Sequence, residues 1–314
     1  MSDKIKPLFE QSRLYFSSSE QAKRIIESRP YKFPERSAEN LKAIRAEVRA
    51  SIEPLVQKVL ESYAVEVTEK TIGNVPCLII TPEKITSDLK ILYGFGGGFV
   101  TGSSYEDLTI AVPTSVLTAQ EIIIPEYRLA PEYPWPAACD DLIAVYSDLS
   151  EKISAIMGES AGGNLALVTL LRAKKLGLKL PKAAVLLSPW CNLLNQGDSL
   201  NFNEGRDPTL SVNQSKLAAL HYAQDQDLAN PEISPLFGCF DNTFPDVFIS
   251  SASRDLLLSQ SIQLANVLRS HGIGVDFRIW DGLWHVFEWN VDLPESLMSI
   301  RQIAKFLENS MASQ

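Results

Sequence analysis

Gly158-Glu159-Ser160-Ala161-Gly162 is a G-x-S-x-G pentapeptide, with a short apolar run at 154–157 before it and a helical pattern at 164–171 after it. A serine on such a strand-to-helix turn is a nucleophile held in a strained, exposed position. The turn is so tight that side chains at Gly158 and Gly162 would collide with neighbouring backbone. The Ala161 amide, at the start of the helix, points where an oxyanion would form. The competing reading is a glycine-rich helix start without chemistry.

A serine hydroxyl needs a base to take its proton, and the base needs an orienting carboxylate. The chain has three histidines, His221, His271 and His285. His271, in Ser270-His271-Gly272, reads as a helix C-terminus, where a histidine complements the dipole. His221 lies beside Tyr222 in a helical pattern outside the strand–helix alternation. His285 follows the last strand-like run, in a loop at the sheet edge where Ser160 must also lie, and is the expected base. Asp255 follows another strand-like run, at 245–252, and falls between serine and histidine in the chain, as expected when an elbow serine leads the triad. Its alternative role is a helix N-cap. Asp281 is too close to His285 along the chain to be the easiest partner.

Tyr93-Gly94-Phe95-Gly96-Gly97-Gly98-Phe99 also follows a strand-like run, and its three consecutive glycines let backbone approach a substrate oxygen closely. A phosphate cradle is the rival, but no Lys-Ser/Thr follows and the G-x-G-x-x-G spacing is absent.

The elements that must position these residues follow from periodicity. Residues 1–62 have helical patterning, with Leu41, Ile44, Val48, Ile52, Leu55, Val56 and Val59 on one face, and Pro54 is expected to kink or divide that helix. Residues 65–67 and 76–81 read as antiparallel edge strands. Strands are then expected at 90–93, 121–125, 154–157, 183–187, 247–250 and 275–279, and helices at 136–149, 161–175, 258–271 and about 294–309. That alternation makes a mostly parallel sheet covered on both faces. Residues 190–240 break the rhythm, have no strand signal and carry one helical piece near 211–224. They read as a cap insertion within a catalytic domain spanning 63–314, with 1–62 as an N-terminal cap segment.

Four blocks in this order, Phe95-Gly96-Gly97-Gly98-Phe99, Glu126–Glu132, Gly158–Asn164, and Asp255-Leu256-Leu257 with Trp284-His285-Val286-Phe287, resemble the hormone-sensitive-lipase-like family of α/β-hydrolases. Ser188-Pro189-Trp190 and Ser234-Pro235-Leu236 match the segments that bracket that family's cap. The resemblance runs from about residue 70 to the C-terminus. It implies an α/β-hydrolase fold with a helical cap, Ser160 as nucleophile, His285 as base and acid, Asp255 as orienting carboxylate, and the amides of Gly97, Gly98 and Ala161 as oxyanion hole. One position departs from the family: Phe95 stands where the loop histidine usually sits, so the glycine loop should be held by an apolar contact. Glu126 and Glu159 replace an aspartate common at each position. Tyr127 to Glu132 read as a packing and ion-pairing support, and Trp284, Phe287 and Phe99 as pocket wall.

The implied activity is hydrolysis of short- to medium-chain carboxylic esters through an acyl-enzyme, without metal or organic cofactor. A lactone suits the same machinery, and a non-catalytic receptor on this fold is the rival class, although such receptors tend to lose the triad histidine. A dehalogenase or epoxide hydrolase would need aspartate at position 160. The formal net charge of -9 argues against nucleic acid and anionic membranes as partners. Scattered Cys77, Cys139, Cys191 and Cys239 read as buried small hydrophobes in a reducing compartment, and no secretory signal or membrane-length apolar run is evident. The expectation is a cytoplasmic protein acting on a small-molecule ester or lactone, with a homodimer left open.

Overall fold

A computed structural model describes residues 18–28 and 36–312. The parts of the N-terminal helical expectation that fall on 1–17 and 29–35 lie outside the described residues. In chain order the described elements are α1 (Glu20–Ser28), α2 (Leu41–Ser62), β1 (Val65–Ile72), β2 (Val75–Pro82), β3 (Lys90–Gly94), α3 (Leu108–Thr118), β4 (Glu121–Pro125), α4 (Ala137–Leu149) and β5 (Ile153–Glu159). There follow α5 (Ala161–Lys175), β6 (Ala183–Leu187), α6 (Asp198–Phe202), α7 (Val212–Ala223), β7 (Asp246–Ala252), α8 (Leu258–Ser270), β8 (Val275–Trp280) and α9 (Pro294–Ala312). The strands form one sheet in the order β1-β2-β4-β3-β5-β6-β7-β8, and β2 alone runs antiparallel to both its neighbours.

The central strands β3 to β7 are buried beyond their first residue at most, because helices cover both faces. Every residue of β5 and β6 is buried. Successive residues alternate between two apolar cores: Ile91 and Tyr93 join one, Leu92 the other; Ala155 and Met157 join the first, Ile156 the second. That alternation is the pleat of a sheet with a core on each side. The edge strand β8 is half-exposed and carries an Asp276–Arg278 ion pair, the charge that discourages a free edge from pairing further.

One expectation is narrowed and others need correction. Of the two outcomes expected at Pro54, division does not occur: α2 passes through Pro54 as one element. Pro54 and Ala50, whose carbonyl loses its intrahelical donor, are both exposed, so water can satisfy that oxygen, while Ile52, Val56 and Val59 are buried on the opposite side. A helix absent from the sequence reading, α3, is buried at every position from Leu108 to Ser115. A helix buried all round has no amphipathic period to detect, and Pro113 argues against one. Finally, Cys239 is exposed, unlike Cys77, Cys139 and Cys191.

Residues 190–240 contain no strand, and α7 lies within a residue of the expected piece. The two ends of this segment meet: the Leu236 N–H donates to the Cys191 carbonyl at 3.0 Å, and the Leu193 N–H to Ser234 Oγ at 2.8 Å. Asn164, on the first turn of α5, donates to the carbonyls of Trp190 and Ile233. Arg45 of α2 forks onto Glu132 and donates to the carbonyls of Val100 and Ala130, pinning that helix to the loops after β3 and β4. No helix among the described residues is long and apolar enough to cross a membrane.

Candidate active site

Ser160 sits between β5 and α5 with φ 52° and ψ -116°, a left-handed backbone that costs a non-glycine residue about 1–3 kcal/mol. Tight flanks hold it there. A Cβ at Gly158 would overlap the Gly162 carbonyl, and one at Gly162 would overlap the Gly94 carbonyl. The Ser160 N–H donates to Leu187 O at 2.8 Å, and its own carbonyl accepts from Trp190 N–H at 2.9 Å. Phe99 (φ 64°), Ser188 (φ 46°) and Val286 (φ 47°) are strained in the same way around it. Such clustering is characteristic of functional sites.

The structure brings His285 and Asp255 to this serine from two other loops. Ser160 Oγ lies 3.0 Å from His285 Nε2, and His285 Nδ1 lies 3.0 Å from Asp255 Oδ1. Partner chemistry sets the tautomer: the carboxylate can only accept, so Nδ1–H donates to it and Nε2 is left to accept the serine hydroxyl. Asp255 is fully buried; its Oδ1 also accepts the Leu257 N–H and its Oδ2 the Ser251 hydroxyl. It is therefore no N-cap, since α8 begins at Leu258 and is capped at Leu257. The other histidines are elsewhere: His271 caps the end of α8, and His221 Nε2 donates to the Arg36 carbonyl.

Electrostatics follow from burial and pairing. Burial pushes the Asp255 carboxyl up, but the His285 charge and the hydrogen bonds it accepts pull it net below the usual carboxylate range. Burial pulls His285 down, yet the Asp255 charge and hydrogen bond, with Asp207 and Glu288, raise it above an ordinary imidazole. Asp207 was missed in the sequence. It comes from the cap insertion, is fully buried, and its Oδ2 accepts the N–H groups of Leu256 and His285. It thereby ties the Asp255 and His285 loops together by backbone, not by the imidazole ring. Burial raises it to about 6.

Gly97 and Gly98 form cavity wall beside Ser160 and His285. The Gly97 carbonyl is held by Thr101 through both N–H (3.0 Å) and Oγ1–H (2.8 Å). In a trans peptide this turns the Gly98 N–H to the opposite side. Gly97 itself has φ +100°, and a Cβ there would strike the Thr101 carbonyl. Ala161 is the first residue of α5, whose leading amides lack intrahelical acceptors. Beneath the loop, Phe95 is fully buried and stacks on Tyr127 at 3.9 Å and 10°, and the Tyr127 hydroxyl donates to the Phe95 carbonyl at 2.8 Å. Arg128 pairs with Asp141 next to it.

The cavity over Ser160 has a volume of about 70 Å³. A larger one of about 370 Å³ adjoins it along α2, sharing Arg36, Gly97, Thr209, Val286 and Trp289 with the first. Trp284 and Phe287, expected as pocket wall, are instead fully buried in a separate core with Ala22 and Ala252, and Phe99 stacks on Tyr222. The apolar wall comes from Trp190, Leu210, Ala218, Val286 and Trp289. Of these, Trp190 and Val286 lay in segments the sequence singled out.

A family model described as alpha/beta hydrolase fold matches residues 91–289. An esterase of Acinetobacter venetianus is 31% identical over 69% of this chain and 73% of its own length. An acetyl-hydrolase of Streptomyces hygroscopicus is 29% identical over 70% of this chain and 75% of its own. The crystal structure of a hormone-sensitive lipase from a metagenome library superposes with a TM-score of 0.81 at 29% identity, covering 92% of this chain and 97% of that one. With its mostly parallel eight-stranded sheet and the serine on the β5–α5 turn, this chain belongs to the α/β-hydrolase fold family, on its hormone-sensitive-lipase-like branch.

Proposed function

We propose that the protein is a serine carboxylesterase in which Ser160 is the nucleophile, His285 the base and acid, and Asp255 the orienting carboxylate. The observation that carries this reading is the unbroken hydrogen-bonded relay Ser160 Oγ–His285–Asp255, opening onto a cavity walled by Gly97 and Gly98. Its relatives named esterase and acetyl-hydrolase support the same class of reaction.

In acylation, Ser160 Oγ bonds to the ester carbonyl carbon while its proton passes to His285 Nε2, and Asp255 stabilises the imidazolium. The carbonyl oxygen becomes an oxyanion facing the amides of Gly97, Gly98 and Ala161, donors fixed before the reaction begins. The C–O bond then breaks, the alcohol leaves with the proton from Nε2, and water repeats the sequence to free the acid. The small volume above Ser160 supports short to medium acyl groups. The intact histidine weighs against a receptor role.

A fluorophosphonate probe tests the reading directly. Ser160 should be labelled and Ser160→Ala should not; an unlabelled wild-type protein would remove the nucleophile from the account. Hydrolysis of p-nitrophenyl esters from acetate to palmitate, with lactones alongside, sets the acyl limit and separates ester from lactone preference.

A further inference from the structure

Among the described residues lining the two cavities, Arg36 is the one arginine or lysine, and it lines both. A Cβ built on Gly98 would come within 2.8 Å of its Nη1, so the guanidinium lies directly against the glycine loop. Its Nε is buried and has no hydrogen-bond partner, and among the described residues no carboxylate forms an ion pair with it. Two acids share its cavities. Burial raises the Glu159 carboxyl well above its ordinary value, and Glu47 lies exposed in the larger cavity. Burial lowers Arg36 to about 10, which leaves it charged at neutral pH. Its backbone is fixed, since the Arg36 carbonyl accepts from His221 of α7 at 2.9 Å.

Among the described residues this half-buried guanidinium, set beside Trp190, Leu210 and Ala218, has no carboxylate partner, and its buried Nε is left without an acceptor, an arrangement that costs free energy. An arriving anion would relieve it. We propose that Arg36 recognises a carboxylate on the substrate, so that the preferred esters carry a free carboxylate a few bonds from the scissile carbonyl. One positive charge matches a monoanion, and the planar fork of the guanidinium matches a carboxylate. The net charge of -9 opposes an anionic substrate only at long range, because screening confines surface charges to about 8 Å at physiological salt. The proposal rests on the ester-hydrolase reading and narrows its substrate class.

The test compares matched pairs of esters. Monoethyl glutarate against ethyl pentanoate places the carboxylate on the acyl side; O-acetylglycolate against ethyl acetate places it on the alcohol side. Wild-type kcat/KM should favour the anionic member of one pair, and the pair that responds identifies the side. In Arg36→Met the anionic-to-neutral ratio of that pair should fall by about 10- to 100-fold, the usual worth of a charge-assisted hydrogen bond, with Arg36→Lys intermediate. An unchanged ratio, or equal losses on both members, overturns the proposal and makes Arg36 a general support of the loop. If wild type hydrolyses no ester in either pair, the ester-hydrolase reading is what fails. Calorimetric binding of monoethyl glutarate to Ser160→Ala then still decides: binding abolished by adding Arg36→Met supports carboxylate recognition, and equal binding refutes it.

Discussion

At the residue scale, the proposed triad members act on one proton, so their losses should not add. Ser160→Ala and His285→Ala should each lower kcat by about 10⁴-fold or more, and the double variant should be scarcely worse than either. Near-normal turnover in His285→Ala would assign the base elsewhere. The pH profile carries a second expectation. The base must be neutral to accept the serine proton, and Asp255 raises the pKa of His285, so kcat/KM should climb with pH through a limb lying above an ordinary histidine. Asp255→Asn removes the charge that raises it. The limb should therefore move towards acid while kcat collapses; a limb that stays put would mean that another group titrates. These three residues were legible because each stands at the end of a strand signal, in a motif or chain order that chemistry imposes. Arg36 and Asp207 were not. Arg36 meets the site from across the N-terminal segment and Asp207 from the cap, contacts made over long sequence separations that no local pattern encodes.

At the element scale, the glycine loop is the part whose support is aromatic. Phe95 stacks on Tyr127, and Tyr127 in turn holds the Phe95 carbonyl, so a strand-following loop is fixed by packing plus one hydrogen bond from the segment after β4. Loss of an oxyanion donor costs about 3–4 kcal/mol in other enzymes, and a loosened loop should lose part of that. Phe95→Leu, which keeps apolar volume but loses the stack, should therefore lower kcat by about tenfold with KM little changed. Steady-state kinetics beside a melting curve decide it. Unchanged kcat at unchanged stability would make the ring a bystander. The sequence expressed this support because a phenylalanine at position 95 offers only packing as the means of holding the loop. It did not express α3, which has no polar face, nor the burial of Trp284 and Phe287 away from the cavity, since an aromatic residue beside His285 is equally compatible with wall and core.

At the scale of the whole molecule, burial of acids beneath the site ties folding to pH. The strand alternation made the sheet predictable, but the sequence counts every Asp and Glu alike, and the fold raises several of them. Burial raises Glu106 to about 7 and Asp107 to about 8, with Glu159 and Glu288 also raised. Asp107 is anchored by the Trp289 indole N–H, which donates to its Oδ1 at 2.9 Å, so this cluster connects α3 to the loop after His285. A carboxyl whose folded pKa is raised binds its proton more tightly in the native state. Stability is then greatest below the unfolded pKa and falls as pH rises towards the folded value. For Glu106 and Asp107 together the decline occupies the range from their ordinary values, 4.5 and 3.8, up to about 7 and 8. The opposing contribution of Asp255, whose folded pKa is lowered, acts below its ordinary 3.8 and leaves that window untouched. Each raised group contributes a slope of up to ~1.4 kcal/mol per pH unit. Melting temperature should accordingly drop between pH 5 and pH 8, and Asp107→Asn, which cannot ionise and keeps an oxygen for the Trp289 indole, should flatten that drop. A variant with the same decline as wild type would mean that Asp107 is ionised in the folded protein and that its charge is stabilised by contacts other than those described.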